Sequence, residues 1–124
     1  MSHFTTIKVQ IKNSNILHQV LQEMGYQVEC NKVVRGYGSN TTNAEYVVRQ
    51  ANGYDLGFRL KGENYELVAD FWGVKIKPQE FVNSVTQKYA YKVLLASVKE
   101  DGFTIEEEET LQDGTIRVVV GRWI

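Results

Sequence analysis

Two aspartates, Asp55 and Asp70, are the residues in this chain whose placement bears most directly on chemistry. They lie at the outer ends of a segment, Tyr54 to Phe71, that reads as a hairpin folded at Gly62-Glu63, with Gly first as a type II′ turn requires. That turn sets Leu56 against Ala69, Phe58 against Leu67, Leu60 against Tyr65 and Tyr54 against Phe71, so one face is wholly apolar. On the other face Arg59 meets Glu66, while Asp55 falls directly opposite Asp70, a like-charge pairing that destabilises a sheet unless something relieves it. Two carboxylates so placed can hold a divalent ion, share a proton, or receive an arginine, for which Arg35 and Arg49 are the candidates. With Gly57 beside them and Trp72 two residues past Asp70, the expected surface is shallow and polar with an aromatic wall. Such a surface suits recognition of a cationic group or a partner loop better than catalysis.

The other chemistry-bearing residues are sparse. His3 and His18 are the only imidazoles, and His18 lies among the apolar positions of a helix, where an edge-of-core role is expected. Cys30 is alone, which rules out an internal disulfide or a thiolate metal cage, and its alternation with Val28 suggests a small core residue. Gly36-Tyr37-Gly38 opens like a dinucleotide fingerprint, but Thr41 stands where the third Gly belongs and no helix follows. Asn40-Thr41-Thr42 matches a glycosylation sequon and reads as a polar loop. Glu106 to Glu109 places at most two carboxylates on one side of a strand, fewer oxygens than calcium needs, and suits an edge that resists aggregation. No cofactor and no metal is expected from this inventory.

The elements that must position these residues follow from hydrophobic spacing. Ile7, Val9 and Ile11 alternate with polar residues as a half-buried strand. Asn13 or Ser14 caps a short helix whose stripe is Ile16, Leu17, Val20, Leu21 and Met24, closed by Gly25. Val28, Cys30 and Val34 mark a second strand, the turn-forming run from Arg35 to Asn43 reads as a mobile loop, and Ala44 to Gln50 as a third strand. Pro78 opens a long helix that reaches about Glu100 and stops at Asp101-Gly102. Strands near Phe103 to Glu109 and Ile116 to Trp123 join through Asp113-Gly114, and an uninterrupted register would set Glu107 and Glu109 against valines, so a bulge or longer loop is expected. In the long helix Phe81, Val82, Val85, Tyr89, Val93 and Ala96 form a core stripe, and Tyr91, Leu94, Leu95 and Val98 fall on a second arc. At least two residues of that arc are expected to be exposed and to meet another protein chain, with Tyr91 as the anchor and Leu95 beside it as a binding candidate.

At 124 residues the chain is the size of one domain, 1–124, able to bury about two thirds of its unfolded surface. The fold class is α+β: a mainly antiparallel sheet of about six or seven strands with two helices packed on one face. Lys and Arg number 14 against 15 Asp and Glu, so the basic excess expected of a nucleic-acid binder is missing. No apolar run approaches the roughly 20 residues that span a bilayer, and no secretory signal pattern is present, so no membrane insertion and an intracellular location are expected.

A resemblance adds to this. Met1-Ser2-His3-Phe4, Ile7-Lys8, Arg35-Gly36-Tyr37, Tyr54-Asp55-Leu56-Gly57-Phe58, Tyr65-Glu66-Leu67-Val68-Ala69-Asp70, Trp72-Gly73 and Gln87-Lys88-Tyr89-Ala90-Tyr91 occur in the order found in a family of small proteins of unknown function. The chain resembles the family of hypothetical chloroplast reading frame thirty-five, over nearly its whole length. Members often carry His after the Tyr-Ala-Tyr motif, where this chain has Lys92. The resemblance implies a cyanobacterial cytoplasm or plastid stroma and no assigned activity or catalytic residue. Together these readings point to a non-catalytic protein-binding or assembly factor, with a protein partner or a homo-oligomer and with Asp55, Asp70, Trp72, Arg35, Tyr37, Tyr91 and Leu95 as binding candidates. The alternatives are a small-molecule or metal-binding enzyme subunit using Asp55 and Asp70, and a regulatory module binding a nucleotide or tetrapyrrole against Trp72 and the tyrosines of the long helix.

Overall fold

The computed structural model describes residues 4–112 and 114–122. They fall into two compact units, Met1–Thr86 and Gln87–Ile124. The first holds β1 (Thr5–Lys8), α1 (Ser14–Glu23), β2 (Val28–Arg35), β3 (Thr41–Val48), β4 (Leu56–Lys61), β5 (Asn64–Ala69) and the start of α2 (Pro78–Glu100). The second holds the rest of α2 with β6 (Phe103–Thr110) and β7 (Ile116–Arg122).

The class is α+β, but the strands do not form the one sheet expected. β1 to β5 make a five-stranded antiparallel sheet in the order β1-β5-β4-β3-β2, and β6-β7 is a separate two-stranded sheet. A bulge between Ile105 and Glu107 shifts the β6–β7 register, so Glu108 pairs with Val118 and Glu109 with Arg117. The bulge supplies the extra residue that the sequence required. The expected turn residue Asp113 and strand end Trp123 lie outside the described residues.

The β4–β5 hairpin has the register its turn dictates. Leu56 pairs with Ala69, Phe58 with Leu67, Arg59 with Glu66 and Leu60 with Tyr65, and Gly62 takes φ 69° at the turn. Leu56, Phe58 and Leu67 are fully buried. Tyr46 pairs with Phe58 across β3–β4, and these partners receive His18 of α1, stacked on Tyr46 at 5.1 Å, and Phe81 of α2, 5.9 Å from Phe58. In α1, Asn13 accepts from the Ile16 N–H, the buried stripe is Leu17, Val20 and Leu21, and Gly25 at φ 88° closes the helix. The N–H groups of Gly25 and Tyr26 bond Gln22 and Leu21 in the paired pattern that satisfies a helix's last carbonyls.

Two expectations for the β2–β3 segment need correction. The run from Arg35 to Asn43 is not one loop: the turn is confined to residues 36–40, and Thr41, Thr42 and Asn43 pair with Arg35, Val34 and Val33. Cys30 is exposed and not core: around it β2 has no covering layer, and the strand's only buried residue is Val34. Between these points the strand alternation breaks. Asn31 takes the left-handed φ of 54°, the ladder skips it and resumes at Lys32 with Ala44, and Val34, Ala44, Val47 and Val68 gather as a second apolar cluster. Ala44 and Val47 are an odd number of residues apart yet share this cluster, which regular alternation forbids. The inversion turns the far half of the β2–β3 hairpin over the face of β4 and β5 that carries Gly57. There Val34 lies so close that a Cβ on Gly57 would stand 2.4 Å from its Cγ2.

In α2, Pro78 occupies the first helical position and Gly102 follows the end at φ 81°. The second arc is less open than expected: Leu94 is exposed, Tyr91 and Leu95 are half-buried, and Val98 is buried. One side chain of the four is exposed, where at least two were expected. Among the described residues no helix is long and apolar enough to cross a membrane.

Candidate functional site

Asp55 and Asp70 do not face each other in a ladder. The β4–β5 pairing ends at Leu56 and Ala69, one residue short of both, and each aspartate turns instead to the end of β2 folded over it. The Asp55 N–H donates to the Arg35 carbonyl at 3.0 Å, and the Arg35 N–H donates to Asp55 Oδ2 at 3.0 Å. Two residues along the same segment, the Tyr37 N–H donates to Asp70 Oδ2 at 3.0 Å. Like-charge repulsion is avoided by giving each carboxylate its own donors.

The arginines expected to relieve Asp55 do so. Arg35 Nε donates to Oδ2 at 2.7 Å and Arg35 Nη2 to Oδ1 at 3.0 Å, the two-pronged geometry that guanidinium and carboxylate favour. Arg49 Nη1 adds a bond to Oδ2 at 2.7 Å, and the Gln50 N–H one to Oδ1 at 3.0 Å. With the Arg35 N–H, five donors converge on one carboxylate that is 0% exposed. Burial alone would push this carboxyl upward, but the Arg35 side chain, the backbone donors of Gln50 and Arg35, and Arg49 outweigh it and hold it at about 2. Arg49 also donates through Nε to Glu29 and through Nη1 to the Val33 carbonyl. Arg35, Arg49 and Glu29 line an open cleft of about 650 Å³ with Gln27 and Gln50, and with the buried Asp55 these two cations are matched by two anions.

Asp70 is differently placed. It is buried, its Oδ2 accepts from Tyr37 and its Oδ1 from the Trp72 N–H at 3.3 Å. Its donors are therefore the backbone of two residues whose rings meet each other. Tyr37 and Trp72 meet edge to face at 5.9 Å and 89°, and Tyr54 joins Trp72 at 6.2 Å and 54°. The Tyr54 ring also covers Gly73, where a Cβ would stand 2.3 Å from the ring carbon Cε1. Asn52 ties this corner, donating to the Gly73 carbonyl at 2.8 Å and accepting from the Tyr54 N–H at 3.1 Å. Trp72 remains 73% exposed and Tyr37 51% exposed. Burial, then the Asp70 carboxylate and Tyr37, raise the Tyr54 phenol above its ordinary value.

Five of the residues singled out from the sequence, Arg35, Tyr37, Asp55, Asp70 and Trp72, are thus brought together in the first unit. Tyr91 and Leu95 are not part of this assembly. Within the second unit the Tyr91 hydroxyl donates to Glu108, which accounts for one carboxylate of the acidic run, and Glu109 pairs with Arg117 at 3.4 Å. Among the described residues no three His, Cys, Asp or Glu side chains are grouped so as to hold a metal. Sequence reasoning missed Glu29, Gly36, Gln50, Asn52 and Tyr54 as parts of the site. Gly36 is needed because a Cβ there would stand 2.9 Å from the Phe4 ring and 3.0 Å from Asp70 Cβ.

The chain's relatives carry no assigned activity. Residues 20–119 match the model of a family described as "Protein of unknown function (DUF1257)". Proteins described as "Uncharacterized protein ycf35" are similar along their lengths: that of Guillardia theta is 37% identical, with 99% of this chain and 98% of the relative covered. Those of Cyanophora paradoxa and Pyropia yezoensis are 32% and 31% identical at the same coverage. No solved structure matches. The family model spans most of the chain and the relatives span nearly all of it, so the chain belongs to this family of uncharacterised ycf35 proteins.

Proposed function

We propose that this protein is a non-catalytic binding or assembly factor of a photosynthetic cell, in cyanobacterial cytoplasm or plastid stroma, that engages a protein partner through Tyr37, Tyr54 and Trp72. One observation carries the reading: three aromatic rings cluster on the surface, with Trp72 73% exposed, and the buried Asp70 fixes the backbone of Tyr37 and Trp72. An exposed tryptophan beside tyrosines is the composition of interface anchors, since these rings bury much area at little loss of side-chain freedom. A fixed backbone beneath them lowers the ordering cost of association.

We favour this over the enzyme alternative because that reading needs Asp55 and Asp70 to act as a pair, whereas they are not ladder partners and Asp55 has five protein donors and no exposed surface. We further read the chain as one domain, with both helices on one face of the large sheet; α2 runs unbroken through the division between the units.

The test is affinity recovery from the native cell with wild-type, Trp72→Ala and Tyr37→Ala proteins. Both side chains are exposed, so the melting midpoint should hold within a few degrees while partner recovery is lost. Recovery unchanged in both variants would reject the aromatic surface as the docking site.

A further inference from the structure

We propose that the cluster of Tyr37, Tyr54 and Trp72 receives an arginine side chain presented by the partner polypeptide, an inference that rests on the docking role assigned to this surface above. The argument is charge complementarity. The buried carboxylates of this unit are otherwise paired with cations: Asp55 with Arg35 and Arg49, and Glu66 with Arg59 at 2.9 Å. Asp70 alone among these buried acids meets no cation among the described residues. Its oxygens take the backbone N–H groups of Tyr37 and Trp72, so the carboxylate is tied to the two residues that carry the most exposed rings of the cluster. Each oxygen has one backbone donor, and no cation among the described residues offsets the charge, which is felt at the Tyr54 ring of the cluster.

The rings add to that field. An aromatic face carries negative potential and attracts cations, with tryptophan the strongest, and a planar guanidinium stacks on an indole better than a lysine ammonium does. Ring planes set at 89° and 54° to one another present faces in more than one direction, so a flat cation lying on one ring remains close to a second. The Arg35–Arg49 cleft offers no competing site, because its charges are already balanced.

The experiment follows the Trp72 indole N–H by ¹⁵N–¹H NMR, assigned with Trp72→Phe, as the capped tripeptide Gly-Arg-Gly is titrated into the full chain. The parallel titration uses Gly-citrulline-Gly, of the same shape without charge. The expected result is a saturable shift with the arginine peptide only, weakened by added salt. Tyr37→Ala should lower affinity roughly 2- to 30-fold, the range that one cation–ring contact supplies. Asp70→Asn should lower it further, and since that variant can lose stability, its spectrum is first matched to wild type; the exposed Tyr37→Ala keeps the test decisive if it is not. No saturable shift, or equal shifts with citrulline, overturns the inference. So does a dimer of this chain abolished by Trp72→Ala, which would assign the surface to a second copy. If the arginine peptide fails while cellular partner recovery still depends on Trp72, the docking role stands and only the cation is wrong; if both fail, both fall.

Discussion

Replacing Asp55 by Asn should destabilise the fold, and the structure says by how much and why. Oδ2 accepts three hydrogen bonds, from Arg35 N, Arg35 Nε and Arg49 Nη1, and Oδ1 accepts two, from Arg35 Nη2 and Gln50 N. Whichever oxygen becomes the amide NH₂, at least two donors lose their acceptor and meet another donor. The charge opposing Arg35 and Arg49 also disappears, and breaking a buried ion pair from one side typically costs about 3 to 5 kcal/mol. The Arg35 side chain is 47% exposed and can turn to water, which places the expected loss near the lower end of that range. Denaturant melts at low salt measure it. A midpoint equal to or above wild type would mean that Asp55 is held against net repulsion, and the arginine clamp would be refuted. Acid dependence gives an independent check. The folded carboxyl sits at about 2 against an ordinary 3.8, so the unfolded chain takes up the proton first as pH falls. The stabilisation, on the order of 2 kcal/mol by linkage, is present above pH about 4 and is lost as pH falls through about 2. Asp55→Asn should flatten that part of the stability profile.

Other substitutions test the packing. Phe58→Ala removes a fully buried ring that meets Phe81 and should cost roughly 3 to 5 kcal/mol in chemical denaturation; a loss under about 1 kcal/mol would mean the ring is not core. Gly57→Ala forces a methyl against Val34, Ala44 and Val68, with the nearest atom 2.4 Å away, and should cost at least the roughly 1 to 3 kcal/mol of an overpacked core. An unchanged melting midpoint would show that the β2–β3 hairpin does not lie over β4. If the chain is one domain, circular dichroism and the Trp fluorescence of the whole chain should melt in a single coincident transition; two separated transitions would divide it at the Thr86–Gln87 boundary.

Local spacing determined much of this protein before any tertiary contact was considered. The Gly62-Glu63 turn fixes the β4–β5 register, because a side-chain period of two leaves only one pairing with an apolar face, and Asn13, Gly25, Pro78 and Gly102 mark helix ends by backbone preferences that act within a few residues. The same local logic flagged Asp55 and Asp70 as a conflict and named the arginines that relieve one of them. It failed where chain segments distant in sequence meet. One left-handed residue, Asn31, inverts the alternation of an edge strand and carries Arg35, Gly36 and Tyr37 across the sheet, and nothing within a few residues of Asn31 records where the displaced strand lands. The landing is set by shape: Gly57 leaves room for Val34, and Gly36 for Phe4 and Asp70. The separation of β6 and β7 from the large sheet, the partial burial of the arc holding Tyr91 and Leu95, and the joining of Tyr54 to Trp72 were likewise decided by the tertiary structure, since burial belongs to the assembled surfaces and not to the periodicity of any one element.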